Sequence, residues 1–301
     1  MSRRKKSPIG KIIIILIIIV LAILVTDKVK NNKTAKTNTN SENVEEVIEN
    51  VTTNEENVEN IENKVEEQEE SLEEKRNKQI EKMGKASSLP VLMYHFFYDK
   101  NETKGQDNNW MEISDFEEQI KYLTDKEFYY PTWEEVEDFI DEKINLPNKS
   151  VVITVDDGDD SFFELAVPVL QKYNAKATSF VITSWYGYRA NEKQQGISYQ
   201  SHSDSMHEGA GNGKGVMLSW SYDKMTQDVK KSSTILGGAT VFCYPFGQYN
   251  DLDKKVLKDA GYKLAFTTEG GRVYKNSDKF ALPRVRMSRG VSLSSFASMV
   301  N

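Results

Sequence analysis

The sequence is poor in several residue types, and each shortage excludes a class of protein. A single cysteine, Cys243, rules out an intramolecular disulfide, and its apolar neighbours favour a buried position. The net charge of -7 has the wrong sign for a nucleic-acid-binding protein, which would carry a basic face. Residues 1–88 contain no Phe, Tyr or Trp, although the chain has 13, 14 and 4 of them. A packed core is therefore expected only after this point.

The N-terminal segment has the pattern of a membrane anchor. Residues 1–11 include five basic side chains and precede an unbroken apolar run of 14 residues, Ile12–Val25. The run is shorter than the usual span of about 20 residues, but flanking lysines lengthen it by snorkelling. A cleaved secretory signal is the alternative, although no small-residue cleavage site follows. We expect a cytoplasmic tail at 1–11, a transmembrane anchor at 12–26 and the rest of the chain outside the cell.

Residues 27–87 are predicted to be an extracellular linker or stalk. Between Glu42 and Lys82 there are 15 acidic and 5 basic side chains, a net charge of -10 that opposes a packed core. A heptad pattern is nevertheless present, with apolar residues at every seventh position: Val44, Val51, Val58, Val65 and Leu72. The segment is consistent with a solvated, partly helical spacer, or with a coiled coil through which copies of the chain form a homo-oligomer.

Residues 88–301 are predicted to form an α/β domain. Apolar runs typical of strands, at 91–94, 151–155, 177–182, 240–244 and 264–267, alternate with helix-like stretches. Gly237 and Gly261 follow two of these stretches, where C-terminal caps belong. Such alternation favours a mostly parallel sheet, closed or open, whose functional groups gather at the carboxyl ends of its strands.

Two aspartates lie at one of the predicted strand ends. Asp156 and Asp157 follow the run at 151–155, and adjacent carboxylates repel unless a cation lies nearby. Gly158 allows the sharp turn that brings both side chains into one space. Alone, this motif would also fit an ordinary solvated turn.

The three histidines of the chain complete the pattern. His95 and His202 each follow a strand-like run. On a helix, His202 and His207 would lie about 140° apart, so they can meet only through a turn, for which residues 203–205 are suitable. Asp and His together are typical ligands of a metal that keeps room for water.

Three motifs resemble those of the polysaccharide deacetylase family (carbohydrate esterase family 4, the NodB-homology domain). Thr-Val-Asp-Asp-Gly at 154–158 resembles the first motif, His-Ser-x-x-x-His at 202–207 the second, and Tyr-Pro-Phe-Gly at 244–247 the third. The resemblance extends over residues 89–300 and implies a distorted (β/α)7-type barrel. It implies a metal-dependent hydrolase that removes N-acetyl groups from N-acetylglucosamine units of cell-wall peptidoglycan or an exported poly-N-acetylglucosamine. The alternatives are an O-acetyl ester deacetylase on another polysaccharide and a non-catalytic carbohydrate-binding surface protein.

The resemblance also implies roles for individual residues. Asp157, His202 and His207 would hold one divalent metal ion, usually Zn2+, with Co2+ or Ni2+ as alternatives. Asp156 would be the general base, and the backbone N–H of Phe246 would stabilise the oxyanion.

The sequence departs from the family pattern at three points. The second histidine of the metal pair follows the first by five residues rather than four, Cys243 replaces the arginine of the third motif, and no histidine near the C-terminus can act as general acid. The run that ends at His95 resembles the branch of poly-N-acetylglucosamine deacetylases, where this histidine is the acid. Arg284 is a candidate to orient the base in place of the missing arginine, and Arg286 competes for that role.

Several aromatic residues are candidates for contacts with the polysaccharide, because aromatic faces stack on sugar rings. We expect Tyr186, Tyr188 and Tyr244 to make such contacts, whereas Trp185 and Trp220 fit either a sugar platform or the core. The expected partners are thus a polysaccharide rich in N-acetylglucosamine and, through the N-terminal helix, the membrane.

Overall fold

A computed structural model of the protein describes residues 72–101 and 107–301. The predicted cytoplasmic tail, the anchor at 12–26 and the heptad positions before Leu72 lie outside these residues. Within the described ranges, no helix has the length and apolar character that a membrane crossing requires. The described residues all belong to one compact unit.

Seven parallel strands close into a barrel. In their order around the barrel they are β1 (Val91–Tyr94), β4 (Val152–Val155), β5 (Ala177–Val181), β6 (Ile197–Ser201), β7 (Val241–Cys243), β8 (Leu264–Gly270) and β9 (Leu282–Arg286). The barrel closes where β9 pairs with β1. Between β1 and β4 in the chain, β2 (Phe96–Tyr98) and β3 (Trp110–Glu112) form a separate parallel pair. The prediction of a mostly parallel sheet with helices is confirmed.

Helices connect most of the successive barrel strands, although β8 and β9 are joined by a loop, and several of the helices begin at a capping side chain. The α-helices are α1 (residues 72–83), α2 (Ile113–Asp125), α3 (Trp133–Ile140), α4 (Val167–Lys172), α5 (Thr183–Tyr186), α6 (Tyr222–Ile235), α7 (Asp251–Asp259) and α8 (Leu293–Val300). Thr132 begins α3 with a capping box in which the Glu135 side chain accepts from the Thr132 N–H. Gly237 and Gly261 have φ values of 76° and 93°, as predicted for residues that end helices.

Alternation along the strands divides the core into layers. Val91 and Val152 belong to one buried cluster with Phe180 and Phe266, whereas Leu92 and Ile153 belong to another cluster with residues of α2 and α4. Successive side chains of a strand point to opposite faces, so β1 and β4 each contribute to two clusters. Polar side chains on the first of these faces are consequently enclosed by the barrel.

The structure adds residues 72–87, which the sequence analysis assigned to the linker, to the compact unit. Arg76 of α1 forms a 2.8 Å ion pair with Glu135, and both side chains are only 12% exposed. Tyr129 donates a further hydrogen bond to the same carboxylate. Ala86 is buried and its N–H donates to Leu146 O. The composition of this segment did not predict that α1 packs on the domain, because only a few residues of the charged helix make the contacts.

We expect Arg76→Met to lower the free energy of unfolding by about 1–3 kcal/mol, because a half-buried carboxylate loses its charged partner. Lys78→Met is the matched control. Its ion pair with Glu74 lies in the same helix but is largely exposed, so its loss should change stability by less than about 0.5 kcal/mol. Urea unfolding of both variants measures the difference, and equal effects would show that α1 is not part of the folded unit.

Candidate active site

A cavity of about 400 Å³ opens at the carboxyl ends of the barrel strands. His95 follows β1, Asp156 and Asp157 follow β4, and His202 follows β6. The cavity is lined by these four residues together with Phe96, Asn109, His207, Tyr244, Phe246, Thr268 and Arg286. The structure therefore brings the predicted metal ligands, base, acid and oxyanion residue to one place.

The turn after β4 holds Asp157 in an unusual backbone conformation. Its φ is 75° and that of Gly158 is 82°, a region that non-glycine residues adopt at a cost of about 1–2 kcal/mol. A Cβ at position 158 would approach the Val181 backbone to 3.3 Å, so glycine is also needed for close packing. The result is that the Asp157 carboxylate is directed towards the two histidines.

A second turn explains how histidines five residues apart can meet. Ser203 has a φ of 71°, and the N–H groups of Asp204 and Ser205 both donate to the Asp228 carboxylate of α6 at 2.8 Å. The predicted turn chemistry at 203–205 is confirmed, while the role of Asp228 was not foreseen. The imidazole rings of His202 and His207 lie 4.9 Å apart.

Three ligand atoms are spaced as a metal ion requires. Asp157 Oδ1 lies 3.4 Å from His202 Nε2 and 3.6 Å from His207 Nε2. Around a tetrahedral ion with bonds of about 2.1 Å, ligand atoms lie about 3.4 Å apart. Asp157 Oδ1 is buried and has no hydrogen-bond partner, which is costly for a carboxylate oxygen unless a cation satisfies it. These residues thus fit a divalent metal.

The protonation states of these groups differ in how they suit ligation. His202 Nδ1 lies 2.8 Å from Cys243 O. A carbonyl only accepts, so Nδ1 carries a hydrogen and Nε2 is the atom left to bind a metal. Burial acts to lower the pKa of His202, but Cys243 and Asp157 raise that pKa well above its ordinary value, so a metal that binds at Nε2 displaces a proton. Burial and the neighbouring His202 lower the pKa of His207 to about 4, which keeps its imidazole neutral. Burial acts to raise the pKa of Asp157, but its interactions with His202 hold that pKa below the ordinary value.

Asp156 forms a bidentate ion pair with Arg284 inside the barrel. Arg284 Nη1 and Nη2 donate to the two Asp156 oxygens at 2.7 Å each, and both residues are buried. The remaining donors of the guanidinium reach Thr154, Cys243 and Thr267. Burial would raise the pKa of Asp156, but the Arg284 charge outweighs it and holds that pKa well below its usual range. Arg284 rather than Arg286 therefore orients Asp156.

His95 lies beside this pair without a hydrogen bond to it. His95 Nε2 is 3.7 Å from Asp156 Oδ2, beyond hydrogen-bond distance. Its Nδ1 is buried and unpartnered. Burial lowers the pKa of His95, and the carboxylates of Asp156 and Asp157 oppose this shift. His95 lines the cavity and its Nε2 forms no hydrogen bond to a described residue, so Nε2 is the ring atom that can exchange a proton with a bound molecule.

Phe246 projects into the cavity mouth from a strained turn. Its φ is 59° and its side chain is 45% exposed, with the ring 4.4 Å from that of His207. Gly247 has a φ of 70°, and a Cβ there would lie 2.0 Å from Thr268 Oγ1. The close contact between Gly247 and β8 fixes the backbone of Phe246, whose ring lies against His207.

The aromatic candidates for substrate contacts differ in exposure. Tyr244 lines the cavity, but its side chain is buried and its hydroxyl donates to Phe280 O, so its contact with a sugar stays a prediction. Tyr186 and Tyr188 donate to Asp159 and Asp160, and Tyr188 remains 49% exposed. Trp185, which the sequence left undecided, is 51% exposed with its ring 5.7 Å from that of His207.

Four residues that line the cavity were missed or misjudged by the sequence analysis. Phe96, Asn109 and Thr268 belong to no motif, and Arg286 was considered only as a substitute for Arg284. A usable signal existed for one of them: Arg284 and Arg286 are two residues apart on a strand and so face the same side.

We expect Arg284→Met to lower the free energy of unfolding by about 3–5 kcal/mol at pH 7, because Asp156 would be left buried without its charged partner. The pKa of Asp156 is depressed in the folded state, so the stabilisation is present above the unfolded pKa of about 3.9 and is lost as the pH falls through the folded value. The difference from the wild-type chain should therefore shrink below about pH 4.

Arg286→Met is the control for this variant, since it removes an exposed arginine from the same strand. Its effect on urea unfolding should be below about 0.5 kcal/mol. A pH-independent loss in Arg284→Met would contradict the assignment of the ion pair as its cause.

Comparison with known proteins agrees with the site. Residues 143–265 match the sequence profile of the polysaccharide deacetylase family. The putative polysaccharide deacetylase YxkH of Bacillus subtilis is 30% identical over 228 residues, which are 73% of this chain and 78% of YxkH. The poly-beta-1,6-N-acetyl-D-glucosamine N-deacetylase of Staphylococcus aureus is 30% identical over 226 residues, 69% of this chain and 76% of that protein.

Among solved structures, the deacetylase PplD of Streptococcus pyogenes in complex with acetate superposes with a TM-score of 0.63 and 27% identity. The alignment covers 71% of this chain and 98% of PplD. IcaB of Ammonifex degensii shares the fold, with a TM-score of 0.61, 22% identity, and coverage of 72% of this chain and 97% of IcaB. Given the relatives that match most of both chains, this chain belongs to the polysaccharide deacetylase family.

Proposed function

We propose that the chain is a metal-dependent N-deacetylase that hydrolyses acetamide groups on N-acetylglucosamine units of an extracellular polysaccharide, either peptidoglycan or poly-N-acetylglucosamine. The observation that carries the proposal is the unpartnered Asp157 Oδ1, placed 3.4 and 3.6 Å from two histidine nitrogens beside a buried, ionised Asp156. The family and its named N-deacetylases support the reaction class.

Each residue of the site has one task in this proposal. Asp157, His202 and His207 hold the ion, which we take to be Zn2+. Such an ion polarises a carbonyl and acidifies water when bound. Asp156 accepts a proton from the attacking water, and the Phe246 N–H stabilises the oxyanion that forms.

His95 donates the proton that lets the amine leave, so that water and acetamide become acetate and a free amine. Arg284 keeps Asp156 ionised and oriented, although it also makes that carboxylate a weak base. A weak base suffices where the water has already been made more acidic.

The ligands and the base are distinguished by measuring bound metal and acetate release separately on the full-length chain. We expect the wild-type chain to hold one equivalent of zinc and to release acetate from N-acetylglucosamine oligomers or purified peptidoglycan. Asp157→Asn should lose the metal. Asp156→Asn and His95→Gln should keep it but release acetate about 100-fold more slowly or worse, the usual contribution of a general base or acid.

His95→Gln leaves the Asp156–Arg284 ion pair intact, so it serves where Asp156→Asn folds poorly. Full turnover in His95→Gln would remove His95 from the mechanism, and metal retention in Asp157→Asn would contradict the ligand set. If the wild-type chain binds metal but releases no acetate from either polymer, this result would contradict the proposed reaction. Release from acetylated xylan alone would favour an ester deacetylase.

The same proposal includes a location. We propose that residues 12–26 remain as a membrane anchor and that residues between the anchor and the compact unit act as a spacer on the outer face. The support is the sequence pattern of basic residues followed by the apolar run Ile12–Val25.

The full-length chain should be recovered with membranes and be released by detergent but not by high salt. A double substitution, Ile17→Asp with Ile18→Asp, should shift it to the soluble fraction, because each acidic residue at the centre of a span costs about 3 kcal/mol. Ile17→Leu is the control. A mature chain that lacks the N-terminal residues by mass spectrometry would instead identify a cleaved signal.

A further inference from the structure

The active-site cavity contains a second arginine that the proposed reaction does not use. Arg286 is the last residue of β9 and lines the cavity with His95, whereas Arg284 is fully buried beneath it. Residues two apart on a strand face the same side and are separated by about 7 Å. Arg286 therefore repeats the position of Arg284 one layer nearer the mouth, where solvent and a bound polymer can reach it.

Arg286 is held in place but most of its hydrogen-bonding capacity is unused. Its Nη1 donates to Asn109 Oδ1 at 2.8 Å. Asn109 is itself fixed, since its carbonyl accepts from Phe96 N–H and its own N–H donates to Asp107. A guanidinium has five N–H donors. No carboxylate of the described residues forms an ion pair with Arg286, in contrast to Arg284.

The charges around the cavity indicate which ligand group the remaining N–H donors of Arg286 would bind. The Asp156–Arg284 pair is already neutral as a unit, so Arg286 is not needed to balance the base. The acetamide that reacts is uncharged, and it offers no anion before the reaction begins. A guanidinium that is fixed at the mouth and forms no ion pair with a carboxylate of the described residues matches the two oxygens of a bound carboxylate.

We propose that Arg286 is a specificity-determining residue that binds a carboxylate on the sugar next to the reacting N-acetylglucosamine unit. The preferred substrate class is then an acidic N-acetylated glycan, such as a chain in which the lactyl carboxyl of muramic acid is free, rather than a neutral poly-N-acetylglucosamine. This inference rests on the proposed deacetylase function and narrows its substrate.

The test compares two tetrasaccharides with the full-length chain: a neutral tetramer of N-acetylglucosamine, and an alternating tetramer of N-acetylglucosamine and N-acetylmuramic acid. The wild-type chain should show the higher kcat/KM on the acidic tetramer. Arg286→Gln should lower that value by about 10- to 100-fold, the usual effect of losing a charged hydrogen bond, and change the neutral substrate by less than about threefold. Arg286→Lys should recover part of the loss, because lysine keeps the charge without the paired geometry.

Lys176→Gln is the matched control, because it removes the same charge from an exposed side chain that precedes β5, at the opposite end of the barrel. It should leave both substrates unchanged. The preference of the wild-type chain for the acidic tetramer should also weaken as salt is added.

Equal losses on both tetrasaccharides in Arg286→Gln, or a wild-type chain that prefers the neutral one, would overturn the inference. Binding of both tetramers to the Asp156→Asn chain gives a readout that does not need turnover. Tighter binding of the acidic tetramer, lost when Arg286→Gln is added, supports the inference even where no acetate is released and the proposed reaction has failed. Equal affinities would reject it.

Discussion

The buried ion pair between Asp156 and Arg284 is the constraint around which the site is built. Arg284 on β9 reaches β4 through Thr154 and Asp156, β7 through Cys243, and β8 through Thr267, so one guanidinium joins four strands at the centre of the barrel. Isolated charges at this depth would be strongly disfavoured, whereas the paired and fully hydrogen-bonded groups are tolerated. The pair fixes the carboxylate that faces the cavity, and it also fixes the end of the strand from which Asp157 turns towards the histidines.

The Asp156–Arg284 ion pair explains why Cys243 can stand where the family motif has an arginine. Arg284 Nη2 lies 3.1 Å from Cys243 Sγ, and the same sulfur lies 3.5 Å from Asp156 Oδ2. A long side chain at position 243 would occupy the space that the guanidinium fills. The charge that neutralises the base thus enters from β9 instead of β7, and a small polarisable residue on β7 makes room for it. The base needs a cation nearby, but the strand that supplies it can differ.

Much of this arrangement could be predicted from the sequence, and the failures have physical reasons. Apolar runs and the polar residues that follow them identified the strands and their functional ends, because parallel strands bring their carboxyl ends to one edge. The choice between Arg284 and Arg286 could not be made, since depth along a barrel depends on how neighbouring strands are staggered. The burial of Tyr244 was not foreseen, because strand alternation alone does not show which side chains are enclosed by their neighbours. The docking of α1 was missed because only a few residues of this highly charged helix make buried contacts.

Several loops around the candidate site contain a non-glycine residue whose positive φ value is strained. Of the seven non-glycine residues with positive φ in the described part of the chain, three lie at the proposed metal ligands or next to them: Asp157, Ser203 and Phe246. Each conformation costs about 1–2 kcal/mol and persists only where the surroundings enforce it. Hydrogen bonds to Asp228 hold the turn at Ser203, and the contact between Gly247 and Thr268 holds Phe246. The regular barrel therefore provides the stability that offsets the strain in the loops. The strained turns in these loops hold the Asp157 carboxylate close to the imidazoles of His202 and His207.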